Sequence, residues 1–269
     1  MELKIISTDG KETGKVKLPS QFAEPLRQGL ISRVALALQS HIRQPYGADP
    51  RAGKKASARL SRRRRKYKGA YGKGISRVPR KTMLRRGTQF QWVGAFAPGT
   101  VGGRRAHPPV VEKILAQKIN DKERKKALRS ALAATVSADA VKARGHDAPA
   151  GYPFVADNKF EEMKETGKVE EILNKLGFGN ELERTSERKI RAGKGKSRGR
   201  KYKSKKGILI VVSGKCNLAL SAKNIPGIDV AEARNLNVNL LAPGGMPGRL
   251  TLFTQGAIEK IDKEKLFAK

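Results

Sequence analysis

The sequence predicts an α/β domain with a mostly parallel sheet, interrupted by a long basic segment that builds no core. Three observations carry this reading. Ile208 to Val212 is apolar at every position, as a strand buried on both faces of a parallel sheet must be. Short strand candidates alternate along the chain with stretches of helical apolar spacing, the pattern of βα units. Between Arg43 and Arg105 that periodicity vanishes, and nineteen Lys and Arg residues stand against a single acid, Asp49.

Leu3 to Ser7 reads as a strand, Thr8-Asp9-Gly10-Lys11 as a turn, and Gly14 to Leu18 as the returning strand of a hairpin. From about Glu24, Leu26, Leu30, Ile31, Val34, Leu38 and Ile42 recur at helical spacing, so a helix ending near His41 packs one face inward. His41 suits a partner for that helix's C-terminal dipole better than a chemical role. After the basic segment, Val110, Val111, Ile114, Leu115 and Ile119 define a helical face following His107-Pro108-Pro109. Asn120, with Glu123 three residues on, marks the N-cap of a further helix whose apolar face is Ala127, Leu128, Ala131, Leu132, Thr135 and Val136. Tyr152 to Ala156 is a short buried strand, and Gly167 to Leu176 a helix stopped by Gly177. Ile228 to Val230 and Leu250 to Phe253 are further strands; helices are expected over Ala231 to Leu236 and Gln255 to Lys265.

The charge is concentrated. The first basic segment contains Arg43, Arg51, Lys54, Lys55, Arg59, Arg62, Arg63, Arg64, Arg65, Lys66, Lys68, Lys73, Arg77, Arg80, Lys81, Arg85, Arg86, Arg104 and Arg105. A second, Arg184 to Lys206, contains twelve cations against Glu187; its candidate contacts are Arg188, Arg191, Lys194, Lys196, Arg198, Arg200 and Lys201. The two segments supply +29 of the formal net charge of +34, and the remainder is close to ordinary. A polyanion is the expected partner, and no apolar stripe accompanies the cations as an interfacial membrane helix requires. Mutual repulsion predicts that Arg43 to Arg105 stays disordered until phosphates neutralise it. Its glycines let backbone approach phosphate closely, and Tyr46, Tyr67, Tyr71, Phe90, Trp92 and Phe96 are interleaved with the cations. Tyr67 and Tyr71 are expected to stack on unpaired bases. Phe90, Trp92 and Phe96 suit either that use or a small cluster of their own. A structureless stretch of this length signals a functional extension. As two limbs of roughly 30 residues it spans on the order of 100 Å fully extended, which suits the interior of a large nucleic-acid particle. The second segment is also compatible with a merely solubilising stretch, and the arginine clusters with a localisation signal.

Catalytic motifs find no support. Gly195-Lys196-Ser197 resembles the end of a phosphate-binding loop, but the required first glycine falls at Ile190 and no strand precedes it. Gly69, Gly72 and Gly74 lack the dinucleotide spacing. Ser213-Gly214-Lys215 follows a strand and is the one remaining candidate phosphate cradle. His41, His107, His146 and Cys216 are scattered without ligand spacing, so no metal site is expected, and no nucleophile or paired-carboxylate pattern emerges. No cofactor or small-molecule substrate is expected. A single cysteine excludes an internal disulfide and fits a reducing compartment. The opening residues lack a signal-peptide core and the longest apolar run is too short for a bilayer, so a soluble intracellular chain with no membrane partner is expected.

The run Arg62-Arg63-Arg64-Arg65-Lys66-Tyr67-Lys68-Gly69-Ala70-Tyr71-Gly72-Lys73-Gly74 continues through Gln91-Trp92-Val93-Gly94 to Gly102-Gly103-Arg104-Arg105-Ala106-His107-Pro108-Pro109. With Lys118 to Arg124, Ala127 to Leu132 and Asn237 to Gly245, it closely resembles the L-four family of large-subunit ribosomal proteins over essentially the whole length. The form resembles the archaeal one, with the archaeal and eukaryotic loop pattern but without the long basic C-terminal extension of eukaryotic members. The resemblance implies a three-layer α/β/α globular domain over residues 1–42 and 106–269, with a mostly parallel four-stranded sheet. It implies that 43–105 is an extended loop inserted after the first long helix and threaded into large-subunit ribosomal RNA. The loop tip, within Arg62 to Arg86, is expected beside the peptide exit tunnel with a neighbouring ribosomal protein, and 184–206 is expected to add a second RNA contact. Two other readings remain at this point: an RNA chaperone acting in trans, and a nucleotide enzyme using Ser213 to Lys215.

Overall fold

The computed structural model describes residues 1–52, 55, 58–66, 68–87 and 89–268. The chain forms two compact units, one of Met1–Ile42 with Ala116–Lys269 and one of Arg43–Leu115.

The strands in chain order are β1 (Glu2–Ile6), β2 (Glu12–Lys17), β3 (Arg80–Arg86), β4 (Gln89–Gly94), β5 (Phe154–Ala156), β6 (Lys189–Ile190), β7 (Tyr202–Lys203), β8 (Leu209–Val212), β9 (Asp229–Glu232) and β10 (Thr251–Thr254). The α-helices are α1 (Gln28–His41), α2 (Asp121–Val136), α3 (Ala138–Ala143), α4 (Thr166–Lys175), α5 (Gly179–Ser186), α6 (Leu218–Ser221), α7 (Val238–Leu241) and α8 (Gln255–Lys263).

In the first unit one sheet runs β2-β1-β5-β10-β8-β9, antiparallel only between β2 and β1. It has six strands where four were expected, because the N-terminal hairpin joins it: Lys4, Ile5 and Ile6 lie parallel to Phe154, Val155 and Ala156. The period of two along the strands sorts side chains into two cores. Val155, Leu209, Val211 and Phe253 face a core shared with α1, α2, α7 and α8. Phe154, Ala156, Ile210, Val212 and Leu252 face a second core shared with α3, α4, α5 and α6. Helices thus cover both faces of a parallel-rich sheet. β8 is fully buried on both sides, as its composition requires.

Several sequence expectations need correction. α1 starts at Gln28 rather than near Glu24, because Glu24 precedes Pro25 and is held extended with ψ 137°. Leu26 and Ile42 therefore lie outside the helix and are exposed, while Ile31, Val34, Ala35 and Ala37 make its buried face. No helix forms over 110–119. The Pro109 carbonyl that would accept from Lys113 accepts from the Ala48 amide at 3.1 Å, and the Gln117 amide donates to Ser40 Oγ at 2.9 Å. Of the expected apolar face, Val110, Val111 and Ile114 are exposed and Ile119 packs on the first core. Asn120 does stand at the N-cap of α2, but its side chain makes no capping hydrogen bond. The expected helix at Ala231 is a strand through Glu232, paired residue for residue with Leu209–Val212, then one 3-10 turn. Gly177 ends α4 with φ +86°, a left-handed conformation that favours glycine. The short α3, α5, α6 and α7 were not anticipated.

Where repulsion alone predicted disorder, the second unit contains a paired hairpin. β3 and β4 run antiparallel from Arg80↔Gly94 to Arg86↔Gln89, with a register irregularity between Thr82 and Leu84.

Candidate nucleic-acid interface

Within the second unit, the four-arginine run sits on a closed loop. The Ser61 amide donates to the Lys68 carbonyl at 3.2 Å and the Gly69 amide to the Lys66 carbonyl at 3.1 Å. Closure sends the backbone through left-handed conformations at Arg65 (φ 54°) and Lys68 (φ 61°). Arg62, Arg63, Arg64, Arg65 and Lys66 all turn outward and are exposed. Arg43, Arg51, Lys55, Arg59, Lys73, Arg77, Lys81, Arg85, Arg86 and Arg105 are exposed as well; Lys68, Arg80 and Arg104 are half-buried. The one acid, Asp49, is paired with Lys55, whose hydrogen bond holds its carboxyl below the usual range. Lys54 and Tyr67 lie outside the described residues, as does the side chain of Phe90.

Two aromatic rings of this unit, Tyr71 and Trp92, serve the cations. Arg77 lies over the Tyr71 ring at 5.4 Å and donates to its hydroxyl at 3.3 Å. Lys73 and Arg80 lie over Trp92 at 5.4 and 5.2 Å. Cation–π attraction thus gathers like charges that would otherwise repel. Tyr71, expected to stack on a base, already has a guanidinium over its ring.

The second basic segment is a small ribbon in the first unit. Lys189 and Ile190 pair with Lys203 and Tyr202. Arg191 is half-buried, its amide donating to the Lys201 carbonyl at 2.8 Å and its Nε to the Arg200 carbonyl at 3.1 Å. Arg191 therefore braces the ribbon. Arg188, Lys194, Lys196, Arg198, Arg200 and Lys201 remain exposed for an anion.

The ribbon's root is fixed by buried charge. Glu181, fully buried on α5, accepts from Arg184 at 2.7 Å and lies 2.7 Å from His146 Nδ1. Arg184 also donates to the Lys206 carbonyl at 2.9 Å, tying the far end of the segment to its start. Burial alone would raise the Glu181 carboxyl, but hydrogen bonds and charge from Arg184 and His146 outweigh it and hold it below the usual range. A second set lies beside it: Asp229 accepts from buried Arg249 at 2.5 Å and from Lys206 at 2.9 Å. His146, read from sequence as having no partner, is thus part of a buried ionic cluster that spacing along the chain does not reveal.

Two further results bear on function. The candidate cradle at Ser213 to Lys215 is filled from within: Glu161 accepts from the Ser213 amide at 2.8 Å, Ser213 Oγ at 2.6 Å and Thr254 Oγ1 at 2.6 Å. A carboxylate takes the place a phosphate would need. Sequence reading also missed a basic face on α2, where Lys122, Lys125, Lys126 and Arg129 line a cavity of about 390 Å³. Their spacing of three and four residues was the available signal. Among the described residues no cluster of His, Cys, Asp and Glu fit for a metal ion is present, and no helix is long and apolar enough to cross a membrane.

Residues 16–264 match the model of a family described as Ribosomal protein L4/L1 family. The chain is 48% identical over 268 residues to the large ribosomal subunit protein uL4 of Nanoarchaeum equitans, covering 99% of this chain and 100% of that one. It is 44% identical over 269 residues to uL4 of Methanopyrus kandleri, 98% of each chain, and 43% identical over 260 residues to uL4 of Archaeoglobus fulgidus, 96% and 97% of the two chains.

Proposed function

The chain belongs to the ribosomal protein L4/L1 family, whose members are structural, non-enzymatic ribosomal components, and from this premise we propose that it binds large-subunit ribosomal RNA. On this reading it supports assembly of the large subunit in the cytoplasm, among neighbouring large-subunit proteins. Residues 43–105 are the RNA-penetrating loop of a globular domain formed by 1–42 and 106–269, and 184–206 is a second contact. The observation that carries the reading is the exposed cations of Arg43 to Arg105, accompanied by one acid that is itself paired. So many outward charges find their counterions on a nucleic-acid backbone. The family resemblance supports a further step, that the tip within Arg62 to Arg86 contributes to the wall of the peptide exit tunnel.

Replacing 43–105 by a short Gly/Ser linker tests this. The expected variant is folded by circular dichroism and absent from large subunits in a sucrose gradient, whereas the full chain stays with them at high salt. Normal incorporation of the variant overturns the loop's role. Release of the full chain at high salt favours an RNA chaperone acting in trans.

A further inference from the structure

Within the second unit, two stretches distant in sequence close on one another. The Ala48 amide donates to the Pro109 carbonyl at 3.1 Å. Gly47 lies so near Val111 that a Cβ there would stand 2.5 Å from its Cγ2 and 3.1 Å from its amide nitrogen. This junction needs glycine for space, not for an unusual dihedral. Beside it is a cavity of about 330 Å³ whose walls include Tyr46, Arg105, His107, Pro108, Pro109 and Lys113. Tyr46 remains 58% exposed, so its ring is not consumed by packing.

We infer that this cavity is a subsite for a single unpaired nucleotide of RNA. The volume lies at the small end of ligand sites and suits one nucleotide. Tyr46 and the adjacent prolines offer the flat, apolar surface on which a base stacks. Arg105 and Lys113 supply positive charge for the flanking phosphate, and His107 adds a second ring. Among the described residues no acid lines the cavity. A paired base could not enter, since its faces are covered by its neighbours and its edge by its partner. The inference rests on the RNA-binding reading and adds to it a preference for a single-stranded nucleotide at a defined place, outside the stretch of densest charge.

The test uses the full chain with two probes: a single-stranded hexaribonucleotide carrying one 2-aminopurine, and a blunt RNA duplex of equal charge. The wild type and Tyr46→Phe are expected to quench the 2-aminopurine and bind the single strand alike. Tyr46→Ala is expected to lose the quench and about 5- to 100-fold in single-strand affinity, with duplex affinity unchanged. Single-strand binding and quenching undiminished in Tyr46→Ala overturn the subsite, as does an equal loss for both probes. Because the ring is exposed, melting curves of the three proteins should coincide; a Tyr46→Ala chain that melts early while Tyr46→Phe fails to restore quenching also counts against it. A wild type that binds neither probe brings down the RNA reading and the subsite with it, which distinguishes that failure from failure of the subsite alone.

Discussion

The two basic segments share an excess of cations over acids and are built in opposite ways. Arg184 to Lys206 is rooted in ion pairs, where buried Glu181 holds Arg184 and Asp229 holds both buried Arg249 and exposed Lys206, and these fix both ends of the ribbon. Arg43 to Arg105 has only the Asp49–Lys55 pair among its own described residues and gathers its charges over Tyr71 and Trp92 instead. Carboxylates remove charge from the inventory that can meet phosphate, whereas aromatic rings hold cations without neutralising them. The first segment therefore keeps nearly its whole charge for a partner. The second gives up part of its charge at the root for a fixed position.

The largest expected consequence lies in salt dependence. With about ten phosphates neutralised by residues 43–105, that segment alone contributes about −7 to −9 to the log-log slope of RNA affinity against salt. Replacing 43–105 leaves the ribbon's contribution, and with its six exposed candidate contacts, Arg188, Lys194, Lys196, Arg198, Arg200 and Lys201, each meeting one phosphate, the slope should fall to about −4 to −5. Titrations of both proteins at several salt concentrations check this. Equal slopes would break the comparison by showing that the first segment meets no phosphate.

Stability should respond in the opposite place. Glu181→Gln strands Arg184 and His146 near a site without charge, and breaking a buried pair of this kind costs roughly 3–5 kcal/mol. Denaturant unfolding at pH 7 measures the loss; the replacement of 43–105 should leave the same transition nearly unmoved. The pH dependence follows in sign. Glu181 has its folded value held below the ordinary 4.5, so its stabilisation is fully present above that value and is lost as pH falls through the folded one. The gap between wild type and Glu181→Gln should therefore be widest above about pH 4.5 and narrow on further acidification. A gap independent of pH would mean that the cluster does not root the ribbon electrostatically.

The same contrast explains which features are legible in the amino-acid sequence. Strands buried on both faces, such as Ile208 to Val212, announce themselves because every position must be apolar. Helices with a wide apolar stripe, such as α2 and α8, do so by periodicity. The charge of both basic segments is visible as composition alone. Pairing across long separations is not: His146 with Glu181, or Tyr46 beside His107, depends on which distant stretches the fold brings together. The false helix over 110–119 shows the reverse error. Its apolar spacing is real, but Pro109 and Gln117 commit their hydrogen bonds to Ala48 and Ser40, so backbone pairing outweighs a weak local preference. Likewise a central strand needing a partner turns Ala231 and Glu232 into an edge strand.

The smallest expected effect separates cation–π gathering from plain backbone pairing in the β3–β4 hairpin. Trp92 lies under both Lys73 and Arg80, and exposed contacts of this kind contribute about 0.5–1 kcal/mol each. Trp92→Ala should therefore raise amide exchange across Arg80–Arg86 and Gln89–Gly94 by roughly 5- to 30-fold, with no shift in the melting of the first unit. Tyr202 in the ribbon has one cation, Lys201, over its ring at 5.4 Å. Tyr202→Ala should accelerate exchange there by no more than about 5-fold, because Arg184 still holds the root. If both substitutions acted equally, rings would not be the means by which the first segment keeps its cations together. If Trp92→Ala left exchange unchanged, strand pairing alone would overcome the repulsion, and the cations over Trp92 would be ornament to a hairpin that forms without them.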